Sequence, residues 1–272
     1  MNNRETNILF KVLPPIFIKR GFIKNDTHNT CNYEDYLIEL LNESPYFMSR
    51  TNNCRFHHSK SESNKENDAV SGQFDLDFKL VMSSSGIEAE VAYNNRFLRD
   101  NNGVVIEYVQ DPPQERTLVT WLLGDLGRVR SSEQINQILS SQASTIPMKR
   151  RNSTNIEAHR QGELKIFIDN LLKEKHLFFF IPCIAFFENT NLSTQEETII
   201  LGNELSYIFE SFFKYRNVER PQFETFVSCV FKNALTIFRW DGDHLSFVDK
   251  IDLSKSQVFE ELKEFDPFFS WL

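Results

Sequence analysis

The sequence predicts an α+β fold in which a central mixed sheet is flanked by helices, and three observations carry that expectation. Residues 74–82 alternate Phe74, Leu76, Phe78 and Leu80 with Asp75, Asp77, Lys79 and Val81, the period-two signature of a strand with two unlike faces. Residues 177–187 are apolar without alternation, as suits a strand covered on both sides. Tyr33, Tyr36, Leu37, Leu40 and Leu41 recur at the spacing of one apolar helix face.

Taken along the chain, residues 7–23 are apolar but interrupted by Pro14-Pro15, which predicts a short element on each side of the break. Asn32 is the expected N-cap of a helix over 33–42. Residues 49–67 are rich in Ser, Asn, Lys and Glu and are expected to form a solvated, flexible loop. Strands are expected at 74–82, 87–93 and 104–109, an antiparallel meander joined by Ser- and Gly-bearing turns. Helices are expected near 115–123 and 132–140, followed by a polar, flexible connection at 143–160. The second half reads as helix 161–174, buried strand 177–187, helix 194–215 and strands 225–232, 234–240 and 244–251, with Asp241-Gly242-Asp243 as a hairpin turn.

The 272 residues suffice for one large core, and the sequence is expected to form one domain. With 26 Phe against 9 Gly, that core must be filled largely by aromatic rings. The net charge of −8 excludes a general electrostatic grip on nucleic acid, so a nucleic-acid site has to be a local basic patch. Cys31, Cys54, Cys183 and Cys229 lack paired spacing, which argues for reduced thiols. The amino terminus lacks a signal-peptide pattern, and the apolar run at 177–187 is about half the length needed to span a bilayer. The expectation is a cytoplasmic protein with no membrane partner.

The chemistry-bearing residues gather in 66–82. A strand of period two sets Asp77 and Lys79 side by side on its polar face, and Asp68 precedes it. A hard divalent cation needs carboxylate oxygens, and a lysine beside them can orient water for attack on phosphorus. An acid, a spacer and then Asp-x-Lys on a strand resembles the PD-(D/E)XK nuclease superfamily, although Asn67 stands where the family has proline. The resemblance implies a restriction-endonuclease-like core, with Asp68 and Asp77 as ligands of Mg²⁺ or Mn²⁺ and Lys79 as the water-orienting group. It also implies an accessory acid from the preceding helix, for which Glu34 is the available residue. The acid-x-Lys triplet recurs at Glu163-Leu-Lys165 and Glu261-Leu-Lys263 on expected helices, so only the strand context distinguishes Asp77-Phe78-Lys79.

Arg55, His57, His58 and Lys60, and separately Lys149, Arg150 and Arg151, are the candidate phosphate contacts. His57 or His58 could act as a general base near neutral pH. Glu88 and Glu90 share a strand face and are either extra metal ligands or simply the outer face of a hairpin. His28, Cys31, Cys54 and His57 have the residue types of a zinc site, but their Asn- and Ser-rich surroundings do not specify an ordered knuckle, and no stoichiometric zinc is expected. The function expected is metal-dependent hydrolysis of nucleic acid, DNA rather than RNA, in a bacterial defence or mobile-element setting by analogy alone. The alternative is a non-catalytic module of bacterial or phage origin that binds another protein.

Overall fold

Both kinds of periodicity appear in the computed structural model, which describes residues 8–12, 33–59, 67–81, 169, 171–187, 191–219 and 222–255. The described strands are β1 (Ile8–Val12), β2 (His57–His58), β3 (Ala69–Val70), β4 (Leu76–Leu80), β5 (His176–Phe187), β6 (Thr225–Phe231), β7 (Ala234–Trp240) and β8 (Leu245–Asp252). The described α-helices are α1 (Tyr33–Leu41), α2 (Pro45–Arg50) and α3 (Thr194–Glu219). All eight strands join one sheet in the order β2-β3-β4-β5-β6-β7-β8, and β1 pairs with the far half of β5. β4, β5 and β6 run parallel while the other neighbours are antiparallel, so the sheet is mixed and the class is α+β.

The unbroken apolar run of β5 is explained by its place between β4 and β6 with a helix layer over each face. Phe178, Phe180 and Ile184 share one core with Tyr36, Leu37, Leu40 and Leu41 of α1 and Phe47 of α2. Leu177, Phe179, Ile181 and Cys183 share the other with Leu201, Leu205, Phe209 and Phe213 of α3. The abundant phenylalanines interlock at specific angles: Phe47 meets Phe178 and Phe226 edge-on at 5.9 and 5.1 Å, and Phe209 stacks on Phe213 at 4.9 Å. Each ring fully buried contributes about 2–3 kcal/mol before chain entropy is counted.

Helix α3 begins with a capping box in which Ser193 Oγ accepts from Glu196 N and Glu196 Oε2 accepts from Ser193 N. It sits close against the sheet at Gly202, where a Cβ would come within 3.0 Å of Leu245 O and of the Phe238 ring. One turn on, Ser206 Oγ donates to Gly202 O and accepts from Leu245 N, joining helix to β8. The β6–β7 hairpin turns through Lys232 and Asn233, both at positive φ (46° and 60°), the conformation a two-residue turn of right-handed strands requires. Gly242, at φ 108°, provides the β7–β8 turn expected at Asp241-Gly242-Asp243.

The stretch expected as a loop from residue 49 carries more structure than its composition predicts. Ser44 caps α2 by accepting from Phe47 N, Asn52 and Asn53 reverse the chain at positive φ, and Phe56 is buried, its N–H donating to Asn42 Oδ1. A few well-placed anchors, Phe47 and Phe56, order a segment whose average polarity gave no sign of it. The expected strand 74–82 is shorter, Leu76–Leu80, and pairs with β3 and β5. The strands expected at 87–93 and 104–109, the helices at 115–123 and 132–140 and the connection at 143–160 lie outside the described residues. Of the helix expected at 161–174 only its end is described, helical at Asp169 and Leu171.

Candidate functional site

Strand β4 places Leu76 and Phe78 in the core under α1 and α2, so its pleat turns Asp77 and Lys79 toward the α3 side. The register sets Asp77 opposite Leu177 and Lys79 opposite Phe179. That face is covered rather than solvated, and Asp77 is only 3% exposed. The polar-face reading of Asp77 is therefore corrected: the neighbour β5 and the turn before it enclose a carboxylate that alternation alone assigned to solvent.

An enclosed carboxylate requires charge partners. Asp77 Oδ2 lies 2.8 Å from Lys79 Nζ, and Asp77 Oδ1 accepts from Lys175 Nζ at 3.3 Å. The Lys79 contact is ionic, since Oδ2 is fully buried without a well-directed hydrogen bond, and Lys79 Nζ donates instead to Phe78 O at 2.8 Å. Burial works against the Asp77 charge, but Lys79 and then Lys175 and Lys173 outweigh it and hold the carboxyl below its usual range.

Asp68 enters from the end of β3. That strand is two residues long and pairs with β4 at Ala69 and Leu76, which leaves the Phe78 N–H without a ladder partner. Asp68 Oδ2 accepts that hydrogen at 2.6 Å and lies 3.9 Å from Lys79 Nζ. One ammonium thus serves both carboxylates. Burial raises the Asp68 carboxyl above its usual range; Lys79 opposes this and the Asp77 charge adds to it.

Glu34 stands in the first turn of α1, on the other helix layer. Burial and then the charge of Asp68 push it up to about 6 from 4.5, against the pull of His58 and Lys79. The accessory acid implied by the resemblance therefore belongs to the same electrostatic cluster as Asp68 and Lys79. Beside it, His58 of β2 pairs with Asp35 of α1 at the exposed rim.

Arg55 and His57 are exposed, and among the described residues neither forms an ion pair or hydrogen bond with Glu34, Asp68 or Asp77. Lys60, Glu88, Glu90, Lys149, Arg150 and Arg151 lie outside the described residues, as do His28 and Cys31. Cys54 is a free, exposed thiol. Sequence reasoning missed Lys173 and Lys175. Only the parallel pairing reveals Lys175, which precedes by two residues the Leu177 that stands opposite Asp77.

Among the described residues no three His, Cys, Asp or Glu side chains gather closely enough to hold a metal ion by themselves. The donors present nevertheless fit Mg²⁺ or Mn²⁺. Asp68 and Asp77 are hard oxygen donors converging on one ammonium, with a buried Asp77 oxygen that lacks a directed hydrogen bond. Mg²⁺ is commonly held by one or two carboxylates, with waters and substrate phosphate completing its shell. No helix in the described residues is long and apolar enough to cross a membrane. Comparison with protein-family models, curated proteins and solved structures returned no match.

Proposed function

We propose that this chain is a Mg²⁺- or Mn²⁺-dependent nuclease that hydrolyses phosphodiester bonds of nucleic acid, with DNA its preferred substrate. The observation that carries the reading is the shared ammonium: Lys79 Nζ lies within 4 Å of both Asp77 on β4 and Asp68 just before β3. Asp68 and Asp77 would hold the metal, and Glu34 would stand behind Asp68 as the accessory acid. A divalent ion in this position supplies an acidified water and neutralises charge developing on phosphate oxygens.

The chain's own groups account for the rest. Were a divalent ion to neutralise Asp77, Lys79 would be free to donate to the attacking water or to a non-bridging phosphate oxygen. Its backbone is held by the β4–β5 ladder, and its side chain is only partly exposed, so its reach is limited to that position. Lys175 continues to hold Asp77 Oδ1, which leaves Oδ2 as the oxygen presented to a ligand.

Titration calorimetry of Mn²⁺ into chelator-treated protein tests the metal site. The wild type should bind Mn²⁺, and Asp68→Asn and Asp77→Asn should each weaken binding at least about tenfold, since losing even an outer-shell partner of a ligand costs about that much. Undetectable binding, or unchanged binding in both variants, would remove the metal from the account.

A further inference from the structure

An ammonium and a hard divalent cation seek the same surroundings, oxygen atoms that bear negative charge. Lys79 Nζ has gathered three of them: Asp77 Oδ2 at 2.8 Å, the Phe78 carbonyl at 2.8 Å and Asp68 Oδ2 at 3.9 Å. The two carboxylates come from separate segments, and Lys79 is the one cation among the described residues that lies within 4 Å of both. Lys175 reaches only Asp77, and on its other oxygen, at 3.3 Å. Asp77 is nearly sealed from water and the Lys79 side chain is itself largely covered. Two positive charges a few ångströms apart repel strongly where water is excluded, so these oxygens serve one cation at a time.

Resting on the metal-dependent reading for the identity of the ion, we infer that Lys79 is the place-holder of the site. In the metal-free protein its ammonium occupies the oxygens that Asp68 and Asp77 would offer a divalent ion, and the ion enters only in exchange for it. The exchange is local. The backbone of Lys79 stays in the β4–β5 ladder while its long, flexible stem turns aside. Lys79 therefore lowers the affinity of the site for metal, an effect separate from any part it takes in placing the attacking water. A lysine that only placed the water would leave metal affinity unchanged.

The test is calorimetric titration of Mn²⁺ into the chelator-treated full chain as wild type, Lys79→Met and Lys175→Met. Lys79→Met should bind Mn²⁺ at least about tenfold more tightly than wild type, because a charge within a few ångströms alters a carboxylate's hold on a cation by about one to three powers of ten. Lys175→Met removes an equal charge from Asp77 but not from between the two acids, and should tighten binding less. Lys79→Met that binds no more tightly than a metal-binding wild type, or equal tightening in the two variants, would overturn the place-holder and leave the metal site standing. Absence of Mn²⁺ binding in the wild type and in Lys79→Met alike would remove both. A second measurement needs no variant, should Lys79→Met fail to fold: acetylation of wild-type lysines by an amine-reactive ester, read by peptide mass spectrometry in chelator and in saturating Mg²⁺. Lys79 should be labelled severalfold faster with Mg²⁺, and a rate unchanged or slowed by the ion would also overturn the place-holder.

Discussion

Lys79 Nζ sits 2.8 Å from Asp77 Oδ2 although the two residues are neighbours on one face of a strand that the sheet encloses. In the absence of metal the lysine is the principal counter-charge of a buried carboxylate, with Lys175 the second. Their attraction therefore belongs to the stability of the fold as well as to the chemistry of the site.

Removing the carboxylate should cost stability, contrary to what a solvated strand face would give. Asp77→Asn leaves two partly buried ammonium groups facing each other and is expected to destabilise the metal-free protein by about 1–3 kcal/mol. Urea unfolding in chelator measures this, and a change below about 0.5 kcal/mol, the usual size for a surface substitution, would mean that the enclosure of Asp77 is wrong.

Glu34 should give the opposite sign. Its carboxyl titrates near 6 in the folded protein and near 4.5 when unfolded, so between those values the native state binds more protons and stability falls as pH rises. Above pH 6 the metal-free protein carries this cost in full, at most about 2 kcal/mol. Glu34→Gln, which cannot ionise, should therefore be more stable than wild type at pH 8 and equal to it near pH 4. Equal stability at both pH values would show that Glu34 is neither enclosed nor crowded by Asp68.

The sheet-bound elements were legible because their patterns are local. The unalternating run around Phe178 and Phe180 announced a doubly covered strand, and Asp241-Gly242-Asp243 announced its turn. What escaped was set by pairing between distant segments. The enclosure of Asp77 depends on β5 lying beside β4, and the roles of Lys173 and Lys175 depend on the same parallel register, which no window of sequence contains. Glu34 could be nominated only because the resemblance called for an acid on the preceding helix.

The seating of α3 makes a further prediction independent of the site. Alanine in place of glycine inside a helix ordinarily stabilises by about 1 kcal/mol. At Gly202 the added methyl would press on Leu245 O, a backbone atom held in β8, so Gly202→Ala is expected to destabilise by about 1–3 kcal/mol instead. A raised melting temperature for this variant would show that α3 stands farther from the sheet.

The central claim is tested most directly by cleavage of closed-circular plasmid and of single-stranded DNA and RNA, followed on gels with Mg²⁺, with Mn²⁺ and with chelator. Wild-type protein should cut DNA in the presence of either metal and not in chelator. Asp77→Asn and Lys79→Ala should each lower the rate at least a hundredfold, about what a metal ligand or a general acid–base group contributes. A wild type that cuts none of these substrates with either metal, or variants that both cut at the wild-type rate, would contradict the account.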